Sequence, residues 1–252
     1  MSQDHPTEPK KIFVAYTFDA ANAWIPNHLI PILISYNFRV HAGSNYAGQS
    51  VSRGIASTLT EVDVILAFLT KRFKLQSKNA WTTSQWIIQE FTYALAKGKT
   101  VIVVRERDVE FEKGLLGDPQ VLLLDFRNPL PCFLSIRDTL MPAQSDGLSD
   151  LTVRHIAKYW RTENDRDWWD FWVWVDGPGH LLNSVEHVKY TLHHTYPAGE
   201  RTRRINDRSL SFGFAGETDG EFSIPVQIVF HDGSKRNLRH ELRLFLPDGT
   251  RP

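Results

Sequence analysis

The sequence predicts two domains of different class, an α/β domain on a parallel sheet followed by an all-β antiparallel sandwich. Three observations predict this. Four near-continuous apolar runs, KIFVAYT (11–17), DVILAFLT (63–70), TVIVV (100–104) and VLLLDF (121–126), interleave with helical patterns, as strands buried on both faces of a parallel sheet do. The composition then changes at the polar RTENDRD (161–167), beyond which four of the eight tryptophans crowd into WWDFWVW (168–174). From there the chain alternates apolar and polar residues between turn signals at DGPG, PAG, ETDG and HDGS, the rhythm of short antiparallel strands.

Taken in order, residues 1–10 read as a disordered polar tail, because MSQDHPTEPKK carries two prolines and no apolar core of a signal peptide. An irregular helix is expected over 22–36, broken by Pro26 and Pro31. A Gly-containing loop, HAGSNYAGQS (41–50), leads into a helix over 51–62, where Val51, Ile55, Leu59 and Val62 keep helical spacing and Ser50 is the expected N-cap. The helix from Ser84 has a core stripe of Trp86, Ile87, Phe91, Ala94 and Leu95. A last helix is expected over 146–160, from Leu148, Leu151, His155, Ile156 and Tyr159 on one side. The α/β domain is thus expected over 11–160 and the linker over 161–167. The sandwich follows over 168–247, with strands at 171–175, 184–196, 208–214, 221–230 and 237–246.

Composition excludes several function classes. Lysine plus arginine equals aspartate plus glutamate at 29 each over 252 residues, so no overall field recruits nucleic acid or anionic lipid. The single cysteine, Cys132, excludes an internal disulfide framework and favours a reducing compartment. No run approaches the about 18 apolar residues of a membrane helix, and a cytoplasmic location is expected. His187, His193, His194, His231 and His240 match no compact metal-ligand spacing, and strand alternation would put His193 and His194 on opposite faces; no metal is expected. The absence of G-x-G-x-x-G argues against a Rossmann-type hydride-transfer enzyme.

One carboxylate stands out. Glu90 lies four residues after Trp86 on the helix of SQWIIQEFTYALAKGKTVIVV (84–104), so the two share a face. A solvated edge residue, a partner for the helix dipole and a ligand-facing group are all open to it. The third reading follows from the fold, because ligands of doubly wound sheets sit outside the carboxyl ends of the strands, where this helix begins.

Residues 11–127 resemble the Toll/interleukin-1 receptor (TIR) domain family, whose fold is flavodoxin-like. The resemblance rests on FVAYT followed by Asp19, on GSNYAGQSVSRGI as the so-called BB loop, on DVILAFLTKRF, and most specifically on S-x-W, three residues, E, then A, three residues, K and an apolar strand. Many members of that family cleave NAD between nicotinamide and ribose. The resemblance therefore implies an NAD+ glycohydrolase with Glu90 catalytic and Trp86 packed beside it. Tyr16, Thr17, Phe18, Asp19, Gly43 and Ser44 would border the nucleotide. NAD would be substrate, with no cofactor needed. It also implies self-association, the BB loop around Gly43–Gly48 of one copy completing the site of the next.

Residues 168–246 resemble the YEATS family, an immunoglobulin-like sandwich, in its prokaryotic form, through V-x-x-V-x-Y-x-L-H-x-T-Y (185–196), G-E-F (220–222) and H-x-L-x-L (240–244). Eukaryotic members hold acylated lysine between aromatic rings. The resemblance implies a ligand cage at His194, Thr195 and Tyr196, with Asp219 where the second cage aromatic should stand. The two resemblances together imply an assembly-activated NAD-cleaving effector, of the kind used in bacterial antiphage immunity. Its sandwich would serve as sensor or assembly module for an unknown ligand or modified protein. Two alternatives remain open: a non-catalytic signalling scaffold, and a nucleoside or nucleotide-sugar N-glycosidase.

Overall fold

The structure, a computed structural model, describes residues 8–42, 57–76, 79–111, 119–141 and 150–252. The chain forms two compact units, Met1–Phe18 with Leu33–Phe126, and Asp19–Ile32 with Arg127–Pro252.

The first unit is built on five parallel strands, β1 (Lys11–Ala15), β2 (Arg39–Ala42), β3 (Val64–Leu69), β4 (Thr100–Glu106) and β5 (Gln120–Leu124), in the order β2-β1-β3-β4-β5. This is the flavodoxin-like order, whose switch point lies between β1 and β3. The central strands read as unbroken apolar runs because both their faces are covered: Ile12, Phe13 and Val14, and Ile65 to Leu69, have no exposed surface. Short β2 was not anticipated, since Arg39 and His41 give it no apolar run.

Helix α1 (Ile30–Ser35) is preceded by a π turn at Ile25–Leu29 and a 3-10 turn at Ala20–Asn22, so the expected irregularity near Pro26 is present. Residues 57–61 are helical; Ser50, Val51 and Ile55 lie outside the described residues. Helix α2 (Gln85–Ala96) packs on β3, β4 and β1 and stops at Gly98, whose φ of 69° admits a left-handed turn as Lys99 N–H bonds back to Ala94 O. Its buried face is Ile87, Glu90, Phe91 and Ala94. Trp86, expected in that stripe, is 45% exposed. The face is therefore turned from the predicted one, which takes the indole out and the carboxylate in.

The second unit stacks a three-stranded sheet, β10-β7-β6, on a four-stranded one, β12-β11-β8-β9, all antiparallel. The strands are β6 (Thr152–Glu163), β7 (Arg166–Asp176), β8 (Val185–Thr191), β9 (Thr202–Ile205), β10 (Phe214–Thr218), β11 (Phe222–Phe230) and β12 (Lys235–Leu242). Trp169, Phe171, Val173 and Val175 alternate inward to meet Val188, Tyr190, Ile224, Val226 and Ile228 in one core. Helix α3 (Leu130–Leu140) covers the outer face of β7, with Phe133 between Trp24 and Trp174 at ring separations of 5.7 and 6.4 Å. A short helix, α4 (Gly179–Ser184), joins β7 to β8.

Three expectations are corrected here. The helix predicted over 146–160 is strand β6 over its described part, paired with β7 from Thr152↔Asp176 to Glu163↔Arg166; residues 142–149 lie outside the described residues. The linker at 161–167 is instead the hairpin between those strands, with Asn164 and Asp165 at φ 52° and 58°, the paired positive angles of a two-residue type I′ turn. The strand expected over 208–214 is a 3-10 turn, Arg208–Leu210, followed by two left-handed residues, Ser211 and Phe212, before β10 begins.

Candidate functional site

In the first unit the candidate centre is Glu90. Its residue is 8% exposed, and burial pushes the carboxyl up to about 7, with the neighbouring Trp86 side chain a smaller, opposing influence. A group poised there is half ionised at neutral pH, the condition expected of a working carboxylate. Desolvation is the larger effect, as Ile87, Phe91 and Ala94 on the same face are packed into the core. Ser84 begins the helix without a side-chain cap; its hydroxyl instead accepts from Arg72 at 3.3 Å.

The carboxyl edge of the sheet carries further polar groups. Thr17 Oγ1 after β1, Thr83 Oγ1 just before α2 and Arg105 Nε near the end of β4 are buried with no hydrogen-bond partner among the described residues. Buried polar atoms normally find partners, so this edge holds more hydrogen-bonding capacity than the described chain uses. Nearby, Lys71 N–H donates to Glu106 Oε2 at 3.0 Å.

The other residues implied by the TIR resemblance are placed as follows. Tyr16 is buried and Phe18 is 57% exposed, their rings edge-on at 4.7 Å. Asp19 caps the 3-10 turn, Oδ1 accepting from Asn22 N at 3.1 Å and Asn22 Nδ2 at 2.9 Å. Gly43, Ser44 and the remainder of the BB-like loop lie outside the described residues.

In the second unit a group of rings gathers beyond the end of β8. His193 and His194 lie with ring centroids 3.9 Å apart, so they share one side and the expected alternation is overturned: β8 ends at Thr191 and the two sit in the following turn. His193 Nδ1 is 3.1 Å from Thr195 Oγ1, which makes His193, one place before the expected residue, the histidine tied to the threonine. Phe222 stands 6.1 Å from His193 and 5.8 Å from Tyr196, and the Tyr196 hydroxyl donates to Glu217 O at 2.5 Å. Asp219 turns to Arg166 at 2.9 Å. Phe222 is the F of G-E-F, and it supplies the aromatic surface that was expected before that segment, at Asp219. Among the described residues no group of histidines, cysteines or carboxylates could hold a metal ion.

Residues 169–243 match the prokaryotic YEATS family, and a prokaryotic YEATS domain occupies that part of the chain. Comparison with curated proteins gave no match. Among solved structures, the yeast AF-9 homologue Yaf9 is 24% identical over 38% of this chain and 70% of its own, with a TM-score of 0.29. The Yaf9 YEATS domain bound to an acetylated histone H3 segment is 23% identical over 38% of this chain and 75% of its own, with a TM-score of 0.30. A Clostridium botulinum CMP N-glycosidase, BcmB, is 16% identical over 51% of this chain and 99% of its own, with a TM-score of 0.35. No described helix is long and apolar enough to cross a membrane.

Proposed function

We propose that the N-terminal unit hydrolyses an N-glycosidic bond to ribose, with NAD as substrate and Glu90 as the catalytic carboxylate. On this proposal the YEATS domain reads a modified peptide and controls the reaction. The observation that carries the catalytic reading is Glu90 itself, a buried carboxylate raised to about 7 on the helix that starts at the carboxyl edge of a flavodoxin-order sheet. Nicotinamide in NAD is already cationic, so it leaves as a neutral molecule carrying the electron pair of the C1′–N bond, and no general acid is needed. The sugar left behind develops oxocarbenium character, which an ionised Glu90 stabilises. Water then attacks C1′ and gives its proton to the carboxylate, leaving ADP-ribose, and the site is restored when the proton passes to solvent. Incubating the purified chain with NAD and separating nicotinamide by chromatography tests this. Nicotinamide release that disappears in Glu90→Gln supports it, and equal release by a folded Glu90→Gln variant removes it.

The reader assignment rests on the family match over 169–243 and on the convergence of His193, Tyr196 and Phe222. Stacking on such rings suits a flat acyl amide, and Phe222 supplies an aromatic surface that Asp219 does not.

A further inference from the structure

A cavity of about 260 Å³ lies within the second unit, between helix α3, the start of α4 and the turn at 208–212. We propose that it binds a small monoanion with a short apolar tail, a monocarboxylate of a few carbons. One wall is apolar and buried, made of Leu134, Leu182 and Phe212. The lining also carries Arg137, Arg208 and Ser211. Arg137 is already neutralised, by Asp176 at 3.1 Å and Asp138 at 2.8 Å. Arg208 has no ion pair among the described residues, so it is the lining cation with charge left for a ligand. The buried Ser211 hydroxyl likewise makes no hydrogen bond among them.

The backbone supports a built site. Ser211 and Phe212 are consecutive left-handed residues, φ 49° and 56°, a conformation that a bulky side chain rarely takes and that persists only where its surroundings over-determine it. Here they do: Val175 N–H donates to Ser211 O at 3.0 Å, and the buried Tyr190 hydroxyl donates to Phe212 O at 3.0 Å. The sandwich core thus holds the hydroxyl and the ring against the cavity.

Size and charge narrow the ligand. The volume falls just below the roughly 300–1,000 Å³ of drug-sized sites, which leaves room for a handful of heavy atoms. One free guanidinium matches one negative charge, and the Asp138 carboxylate on the same lining repels a dianion. A carboxylate bound through Arg208 and Ser211 would lay its alkyl tail on Leu134, Leu182 and Phe212.

Calorimetric titration of the full chain with butyrate tests this, with n-butylammonium and inorganic phosphate as controls. Butyrate should bind, butylammonium should not, and phosphate should bind more weakly for want of a tail. Arg208→Gln, at an exposed position, should weaken butyrate roughly 10- to 100-fold through loss of one charge-assisted contact. A Cβ at Gly179 meets nothing within 4 Å, so Gly179→Leu should occupy the space and abolish binding with the unfolding curve unchanged. No heat with butyrate, equal binding of butylammonium, or unchanged affinity in Arg208→Gln would each overturn the assignment. NAD cleavage is read separately, so neither outcome depends on the other.

Discussion

Acidification should unfold the second unit well before its carboxylates titrate. His28, His155 and His240 form a chain of imidazoles, His28 buried and the other two half-buried, with ring centroids 5.1 and 4.8 Å apart and His155 Nδ1 only 2.7 Å from His240 Nε2. Burial holds them neutral, at about 3, 4 and 3 from an ordinary 6.5. Repulsion from His155 lowers His28 and His240 further, and Arg154 also lowers His240. Arg243 also disfavours charge on His155, while the carbonyl of Arg243 and the Glu221 carboxylate oppose the shift. The folded state therefore binds fewer protons than the unfolded chain below 6.5. Stability is full above that pH and falls as pH drops through 6.5 towards 3–4. From about pH 8 to about pH 5 each histidine costs about 2 kcal/mol, at 1.36 kcal/mol per pH decade. The three together cost up to about 6 kcal/mol, comparable with the about 5–15 kcal/mol that holds a domain together. His28→Leu tests the assignment without disturbing a hydrogen bond, because His28 Nε2 has no partner among the described residues. At about pH 8 the variant should be as stable as wild type or more so, and its loss on acidification should shrink by about 2 kcal/mol. Amide hydrogen exchange of peptides from β7 and β11, corrected for intrinsic rates, reads this unit alone. Equal protection at both pH values, or an unchanged pH slope in His28→Leu, refutes the reasoning.

Three further outcomes follow from the first unit. Glu90→Gln should stabilise it at about pH 8 by up to about 3 kcal/mol, because a carboxyl raised from 4.5 to about 7 costs stability as pH rises through that window; denaturant midpoints for this unit read the change, and a destabilised variant contradicts it. Trp86→Phe should leave the melting temperature nearly unchanged, since the residue is 45% exposed, and should move the pH profile of cleavage upward, since the Trp86 side chain opposes the rise of the Glu90 carboxyl; a large melting shift would instead make Trp86 a core residue. If copies complete one another's sites, specific activity should rise with protein concentration, and a bulky charge at Ala47 should suppress it; flat activity in a monomeric protein rules this out.

Much of the fold was legible because burial on both sides of a parallel sheet leaves a direct mark: the runs at 11–17, 63–70, 100–104 and 121–126 all contain strands. Where the sequence misled, non-local pairing decided. Leu151, His155, Ile156 and Tyr159 have helical spacing, but β7 offers a partner along the full length of β6, and the ladder outweighs local periodicity. The stripe on α2 was read one step away from its true face because a tryptophan looks like core and a glutamate does not; burying Glu90 runs against the usual exposure of a glutamate. In the turn after β8, alternation ceases with the strand, so neither the stacking of His193 on His194 nor the approach of Phe222 was visible in the spacing. The helix α3 and the residues at 19–32 belong to the second unit, an assignment set by contacts such as Trp24–Phe133 that sequence order hides.

The most direct test is the pH dependence of nicotinamide release from NAD by the wild-type chain and by Glu90→Gln. Catalysis by an ionised Glu90 predicts a kcat/KM that rises with pH and levels off above about 7, where burial places this carboxyl, and no release above background by the folded Gln variant. A flat profile across that range with full activity in Glu90→Gln would contradict it.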